Sequence, residues 1–200
     1  EKLKNLSNIF PLTVGACDNG SIYDRNKLQE LIACNEVDII VWSTKKHINA
    51  RRKPNMFGWI DADKNGKIKK ISVKKLIDND FSKDIIIGTF TFKKYDHIFN
   101  SINRLIKRGE KVKDEFYLDS CINDAIEMGY KCYVFEVDYF ISWGTPNDLK
   151  TFEYWQSAFH KWYYQKYRLN KDYKVAGKNN IALEKKYRKI LPPFINNAYK

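Results

Sequence analysis

Val37-Asp38-Ile39-Ile40-Val41-Trp42 is a hydrophobic run too short for a buried helix and of the right length for a strand covered on both faces. Upstream of it, Leu28, Leu31 and Ile32 fall at helical spacing, and Asp24 stands where a side chain would cap that helix. Further upstream, Ile9 to Cys17 is a β-rich apolar run that ends in the turn former Asp18-Asn19-Gly20. Strand, helix and strand in this order predict a parallel pair joined by a right-handed crossover.

Downstream, Phe57-Gly58-Trp59-Ile60 and Lys67 to Val73 flank Asp61-Ala62-Asp63-Lys64-Asn65-Gly66, which reads as a hairpin with an Asn-Gly turn. Ile85 to Phe92 is a further strand, and Gly88 inside it marks a bulge or a close backbone approach. Helices are predicted over Asp96–Arg108, closed by Gly109, and over Glu115–Met128, stopped by Gly129. Lys131 to Val137 alternates as a strand. Gly144-Thr145-Pro146-Asn147-Asp148-Leu149 opens a helix bearing Phe152, Tyr154, Trp155, Phe159, Trp162 and Tyr163. The sum is an α/β fold with a mixed, mostly parallel sheet flanked by helices and a β-hairpin insertion. From Gln165 onward the chain turns polar and basic, so 1–164 reads as the domain and 165–200 as a basic helical appendage or linker.

Composition narrows the classes. The 200 residues carry 36 Lys and Arg against 24 Asp and Glu, a formal charge of +12. The basic residues are scattered in short groups beside acids, the pattern of a solvated surface rather than of a nucleic-acid face. No apolar stretch approaches the roughly 18 residues of a membrane span. Cys17, Cys34, Cys121 and Cys132 form no C-x-x-C pair, which suits reduced thiols in a cytoplasmic protein. Asp61 to Gly66 also fits the opening of a calcium loop, but Ser72 stands at the twelfth position where a bidentate Glu is required.

Asp18 closes a strand, and in open α/β sheets ligands gather at strand carboxyl ends. Several segments, taken in order, resemble the sugar-phosphate nucleotidyltransferase family, the GT-A-like nucleotide-sugar pyrophosphorylases. Val14 to Gly20 resembles the family's strand ending in a metal-binding Asp, and Phe57 to Ile60 with Asp63 to Ile68 resembles its Tyr-Gly hairpin. Ser72-Val73-Lys74-Lys75, Ile87-Gly88-Thr89-Phe90, Glu115-Phe116-Tyr117-Leu118-Asp119 and Trp143 to Leu149 resemble four later motifs.

This resemblance spans about residues 9 to 160 and implies transfer of NMP from an NTP to a sugar phosphate or similar phosphorylated acceptor, with release of pyrophosphate. The pathway implied is nucleotide-sugar and polysaccharide precursor synthesis. It assigns Mg²⁺ to Asp18 and the acceptor phosphate to Lys74. Acceptor hydroxyls go to Glu115 and Asp119, with room for the acceptor beside Gly88. The family's Gly-rich NTP loop is not among these residues. It is expected from another domain or chain, as though roughly 80–100 residues of a domain of ordinary size preceded Asp18. Where the family places a second metal-binding Asp this sequence has Ser142, leaving Asp138 or Ser142 as the candidate to complete the site. Asp148 reads as a helix-capping acid. A homo-oligomer is compatible with the resemblance. The alternatives are a non-catalytic ligand- or partner-binding module of the same fold and, second, a basic nucleic-acid-binding domain.

Overall fold

The computed structural model describes residues 10–45 and 47–163. The strands are β1 (Leu12–Val14), β2 (Asn19–Ile22), β3 (Ile39–Thr44), β4 (Gly58–Ala62), β5 (Ile68–Val73), β6 (Asp84–Phe92), β7 (Cys132–Glu136) and β8 (Tyr139–Ser142). The helices are α1 (Arg25–Ala33), α2 (Ile48–Arg52), α3 (Tyr95–Arg108), α4 (Leu118–Glu127) and α5 (Pro146–Tyr163), with a short 3₁₀ turn at Pro54–Met56. The chain divides into two compact units between Phe140 and Ile141. The appendage expected over 165–200 lies outside the described residues.

The local signals act as their chemistry dictates. Asp24 Oδ1 accepts from the Asn26 N–H at 2.8 Å and caps α1. Gly109 ends α3 in the left-handed conformation. Asp63 Oδ1 accepts from the N–H groups of Asn65 and Lys67, closing the β4–β5 turn through Gly66.

A six-stranded sheet runs β5-β4-β6-β3-β7, and β1 joins it by pairing with β6. The α/β class and the hairpin are as expected, but the sheet is not mostly parallel. Only β3 and β7 pair in parallel, while β1, β3 and β4 all pair antiparallel with β6. The predicted parallel neighbour of β1 is therefore wrong. β6, which follows both in the chain, lies between β1 and β3 and runs against both. Alternation along a strand reveals its two faces but carries no information on which strand it will pair with.

β3 shows that alternation plainly. Ile39 and Val41 enter a core shared with Leu105 of α3 and with Cys121, Ile122 and Ala125 of α4. Ile40 and Trp42 enter another, covered by Leu28, Leu31 and Ile32 of α1. The sheet thus lies between two helical layers, as burial on both faces requires. A third cluster, Ala50, Trp59, Ile77 and Ile85, anchors the base of the hairpin, where the Trp59 indole donates to the Pro54 carbonyl at 3.0 Å. The hairpin tip reaches β7: the Val134 N–H donates to the Gly66 carbonyl at 2.9 Å and covers part of that edge.

In the second unit, the Asp148 N–H donates to Thr145 Oγ1 and the Leu149 N–H to the Thr145 carbonyl. Thr145 is the cap of α5 and Pro146 its first residue, so Asp148 sits in the first turn as a capping-region acid. Trp143 packs edge-on against Phe152, and Tyr154 against Trp155. The side chains of Phe159, Trp162 and Tyr163 lie outside those described. Among the described residues no helix is long and apolar enough to cross a membrane.

Candidate acceptor site

β1 and β4 lie one behind the other along the same edge of β6. β1 leaves it at Val14, opposite Phe90, and β4 joins it at Trp59, opposite Ile85. Between them the chain passes Gly15 to Asp18 on one side and Phe57-Gly58 on the other. The predicted residues gather around this break.

Gly58 pairs with Val73, and the next residue, Lys74, extends the pairing by donating its N–H to the Phe57 carbonyl at 3.0 Å. Lys74 does so with φ of 54°, a left-handed conformation uncommon for a lysine. Its ammonium meets Tyr117: Nζ donates to the phenolic oxygen and stands 4.1 Å from the ring centroid. The Tyr117 hydroxyl in turn donates to Glu115 Oε2 at 2.5 Å. Glu115 precedes α4 rather than beginning it. It closes a tight turn with Val112 through Lys113 and Asp114, both at positive φ.

Asp119, in the first turn of α4, leans over the start of β4. A β-carbon built on Gly58 would lie 2.4 Å from Asp119 Oδ2 and 3.0 Å from Ile86 Cδ1, so only glycine leaves the carboxyl its place. Loss of solvent there pushes the Asp119 carboxyl up to about 6, against the opposing effects of its own backbone N–H and of Lys74. Lys74, Tyr117, Glu115 and Asp119 thus form one cluster of cation, phenol and carboxylates at the mouth of the hairpin.

Gly88 is both a bulge and a close approach. The β3–β6 register passes from Val41↔Phe90 to Ser43↔Ile86, so β6 carries two extra residues there. Its φ is 76°, and a β-carbon on it would come within 2.9 Å of the Ala16 β-carbon. The room beside Gly88 is therefore taken by the Asp18 loop, which is tied down by the Ala16 N–H donating to the Gly88 carbonyl and Asn19 Nδ2 donating to the Ile87 carbonyl at 2.7 Å. Asp18 stands exposed on that loop, two residues beyond the tie.

No family model matches the sequence, and no curated protein is significantly similar to it. Among solved structures, the chain superposes on the nucleoside-diphosphate-sugar pyrophosphorylase of Vibrio cholerae RC9 with a TM-score of 0.54. The identity is 12%, over 71% of this chain and 55% of that one. It superposes equally, TM-score 0.54 at 17% identity, on a Bacillus anthracis protein described as a glucose-1-phosphate thymidylyltransferase and crystallised with sucrose, over 75% of this chain and 56% of the other. The fold is that of the nucleotidyltransferases. The chain spans little more than half the length of either structure.

On this nucleotidyltransferase fold, the described residues bring no three His, Cys, Asp or Glu side chains together as a metal cage. Asp18 alone is still compatible with Mg²⁺, an ion that keeps most of its waters and binds through one or two carboxylates plus substrate phosphates. Ser142 donates its hydroxyl to Asp148 Oδ2 at 3.2 Å, so that oxygen is engaged within its own unit. Asp138 is exposed and lines an open groove with Lys27, Glu30, Leu31 and Val134 to Val137, between α1 and β7. That groove is separate from the Lys74 cluster.

Two residues of the site had no role in the sequence reading. Gly58 was visible only as part of a motif, although a glycine opening a buried strand is itself a sign of close approach. Tyr117 gave no local signal, since its partner Lys74 is 43 residues away.

Proposed function

We propose that this chain carries the acceptor side of a sugar-phosphate nucleotidyltransferase. The observation that carries the reading is the Lys74 ammonium held on Tyr117, with the Asp119 carboxyl seated over Gly58 at the same end of the hairpin, on the nucleotidyltransferase fold. A cation beside hydrogen-bonding carboxylates suits a small molecule with one phosphate and several hydroxyls.

In this reading a phosphate oxygen of the acceptor attacks the α-phosphorus of an NTP in line. One P–O bond forms, the bond to the β-phosphate breaks, and pyrophosphate leaves with the electron pair. Lys74 orients the attacking phosphate as a point charge, and Asp119 and Glu115 accept hydrogen bonds from acceptor hydroxyls. Gly88 seats the loop that carries Asp18. Asp18 is the residue that would hold Mg²⁺, which when bound supplies neutralising charge at the phosphates. The NTP phosphates would be cradled by a Gly-rich loop from another domain or chain.

The test, with the domain or chain that carries the NTP loop supplied, is pyrophosphate release from each of the four NTPs with a panel of hexose 1-phosphates. Release should require an acceptor and fall about 10²-fold in Lys74→Met and in Asp18→Ala. Release indifferent to both substitutions would overturn the assignment. A non-catalytic ligand-binding module is the second reading, favoured by the engagement of Ser142 with Asp148 where the family has a metal-binding Asp. Sugar-phosphate binding without turnover, in the presence of a supplied NTP loop, would select it.

A further inference from the structure

We infer that Tyr117 is a positioning residue that fixes the Lys74 ammonium for an incoming phosphate, an inference that rests on the acceptor-site reading above. A lysine ammonium on a four-carbon stem loses rotamer freedom when held in one place. Here two contacts from one side chain restrain it. The Tyr117 ring lies under Nζ at 4.1 Å, and its phenolic oxygen accepts from the same ammonium.

The proton on the phenol settles the direction of the chain. The Tyr117 hydroxyl donates to Glu115 Oε2 and so turns its lone pairs to Lys74. Glu115 therefore orders the phenol, the phenol orders the ammonium, and Lys74 keeps its other N–H groups for a ligand. The backbone contributes from both sides. Lys74 is held at φ of 54°, and the turn that delivers Glu115 and Tyr117 passes through Lys113 and Asp114 at φ of 52° and 63°. Conformations of this kind cost energy and persist where the surroundings over-determine them.

An ordinary packing role does not account for Tyr117. It belongs to none of the three apolar clusters, although its neighbour Leu118 packs on the largest of them. Lys75, next in sequence to Lys74, is exposed.

The experiment is a calorimetric titration of the 200-residue chain with inorganic phosphate and, separately, with glucose 1-phosphate. Tyr117→Phe keeps the ring and removes the hydroxyl; it should weaken both probes about tenfold, the worth of one hydrogen bond to a charged group. Tyr117→Leu removes both restraints and should weaken them further. In a Lys74→Met background Tyr117→Phe should change nothing more, because its effect runs through the ammonium. Melting temperatures of all variants report whether folding is intact. Unchanged affinity in a folded Tyr117→Phe, or full additivity with Lys74→Met, would overturn the inference and leave Lys74 as the phosphate group. Wild-type protein that binds neither probe would overturn the acceptor-site reading and this inference with it.

Discussion

The carboxyl of Asp119 occupies the space that a side chain on Gly58 would fill. A β-carbon at position 58 would stand 2.4 Å from Oδ2, closer than such atoms approach. The obstruction is the end of a side chain, which can swing away, so Gly58→Ala should displace the carboxyl more than it strains the fold. Its urea midpoint should move little, at a cost of about 1 kcal/mol or less from the second contact with Ile86. Glucose 1-phosphate should bind at least tenfold more weakly. A large stability loss with unaltered binding would mean that Asp119 is not part of the site.

Asp119 also makes folding pH-dependent. Its carboxyl is pushed up from an ordinary 3.8 to about 6, so the folded chain favours the protonated form. The stability this contributes is fully present below about pH 4 and is lost as pH rises through about 6. Asp119→Asn should abolish that loss. At pH 7 the variant should exceed the parent by about 1–2 kcal/mol in urea unfolding, after screening is allowed for, and the two should converge near pH 3.5. The same variant should bind the acceptor less well, the usual conflict between a stable and a working site.

The elements of this fold were legible where their cause is local. Gly66 and Gly109 sit at positive φ where the Asn-Gly turn and the helix stop required them, and Asp24 caps the helix it was expected to cap. Lys74, Glu115 and Asp119 came together because the hairpin, and α4 with the turn before it, carry them to one end of the sheet. Partners distant in sequence were not legible. Thr13 and Thr91 join their hydroxyls at 2.9 Å across 78 residues, and nothing in either strand announces the other. The same limit hid Tyr117, and it hid Ala16, which fills the room expected for a ligand beside Gly88.

Gly88→Ala should therefore disturb the Asp18 loop. The new side chain would have to adopt φ of 76° and would press on the Ala16 β-carbon at 2.9 Å. The expected cost is about 1–3 kcal/mol. Ala16→Gly in that background removes the contact but not the backbone strain, so it should restore part of the loss. Chemical unfolding of the three proteins checks the order. A second variant no better than the first would place the whole effect in the backbone.

Asp124 supplies the sharpest stability test, because it is a charge taken almost wholly out of water. It is 1% exposed and receives both Arg108 Nε at 3.1 Å and Arg108 Nη2 at 2.9 Å, tying α4 to α3, with Arg104 Nε farther off at 3.6 Å. Removing the arginine leaves a buried carboxylate with poor compensation, so Arg108→Ala should cost about 3 kcal/mol. Arg108 also meets the exposed Glu110, and Arg104 meets the exposed Glu127; Glu110→Gln and Glu127→Gln should each cost under about 1 kcal/mol. Replacing both buried partners, Arg108→Met with Asp124→Leu, should recover most of the loss, since neither charge then needs a partner in the interior. If the double variant is instead as unstable as the sum of its single changes, the pair is not coupled, and α3 and α4 are held together mainly by apolar packing around Leu105, Cys121, Ile122 and Ala125.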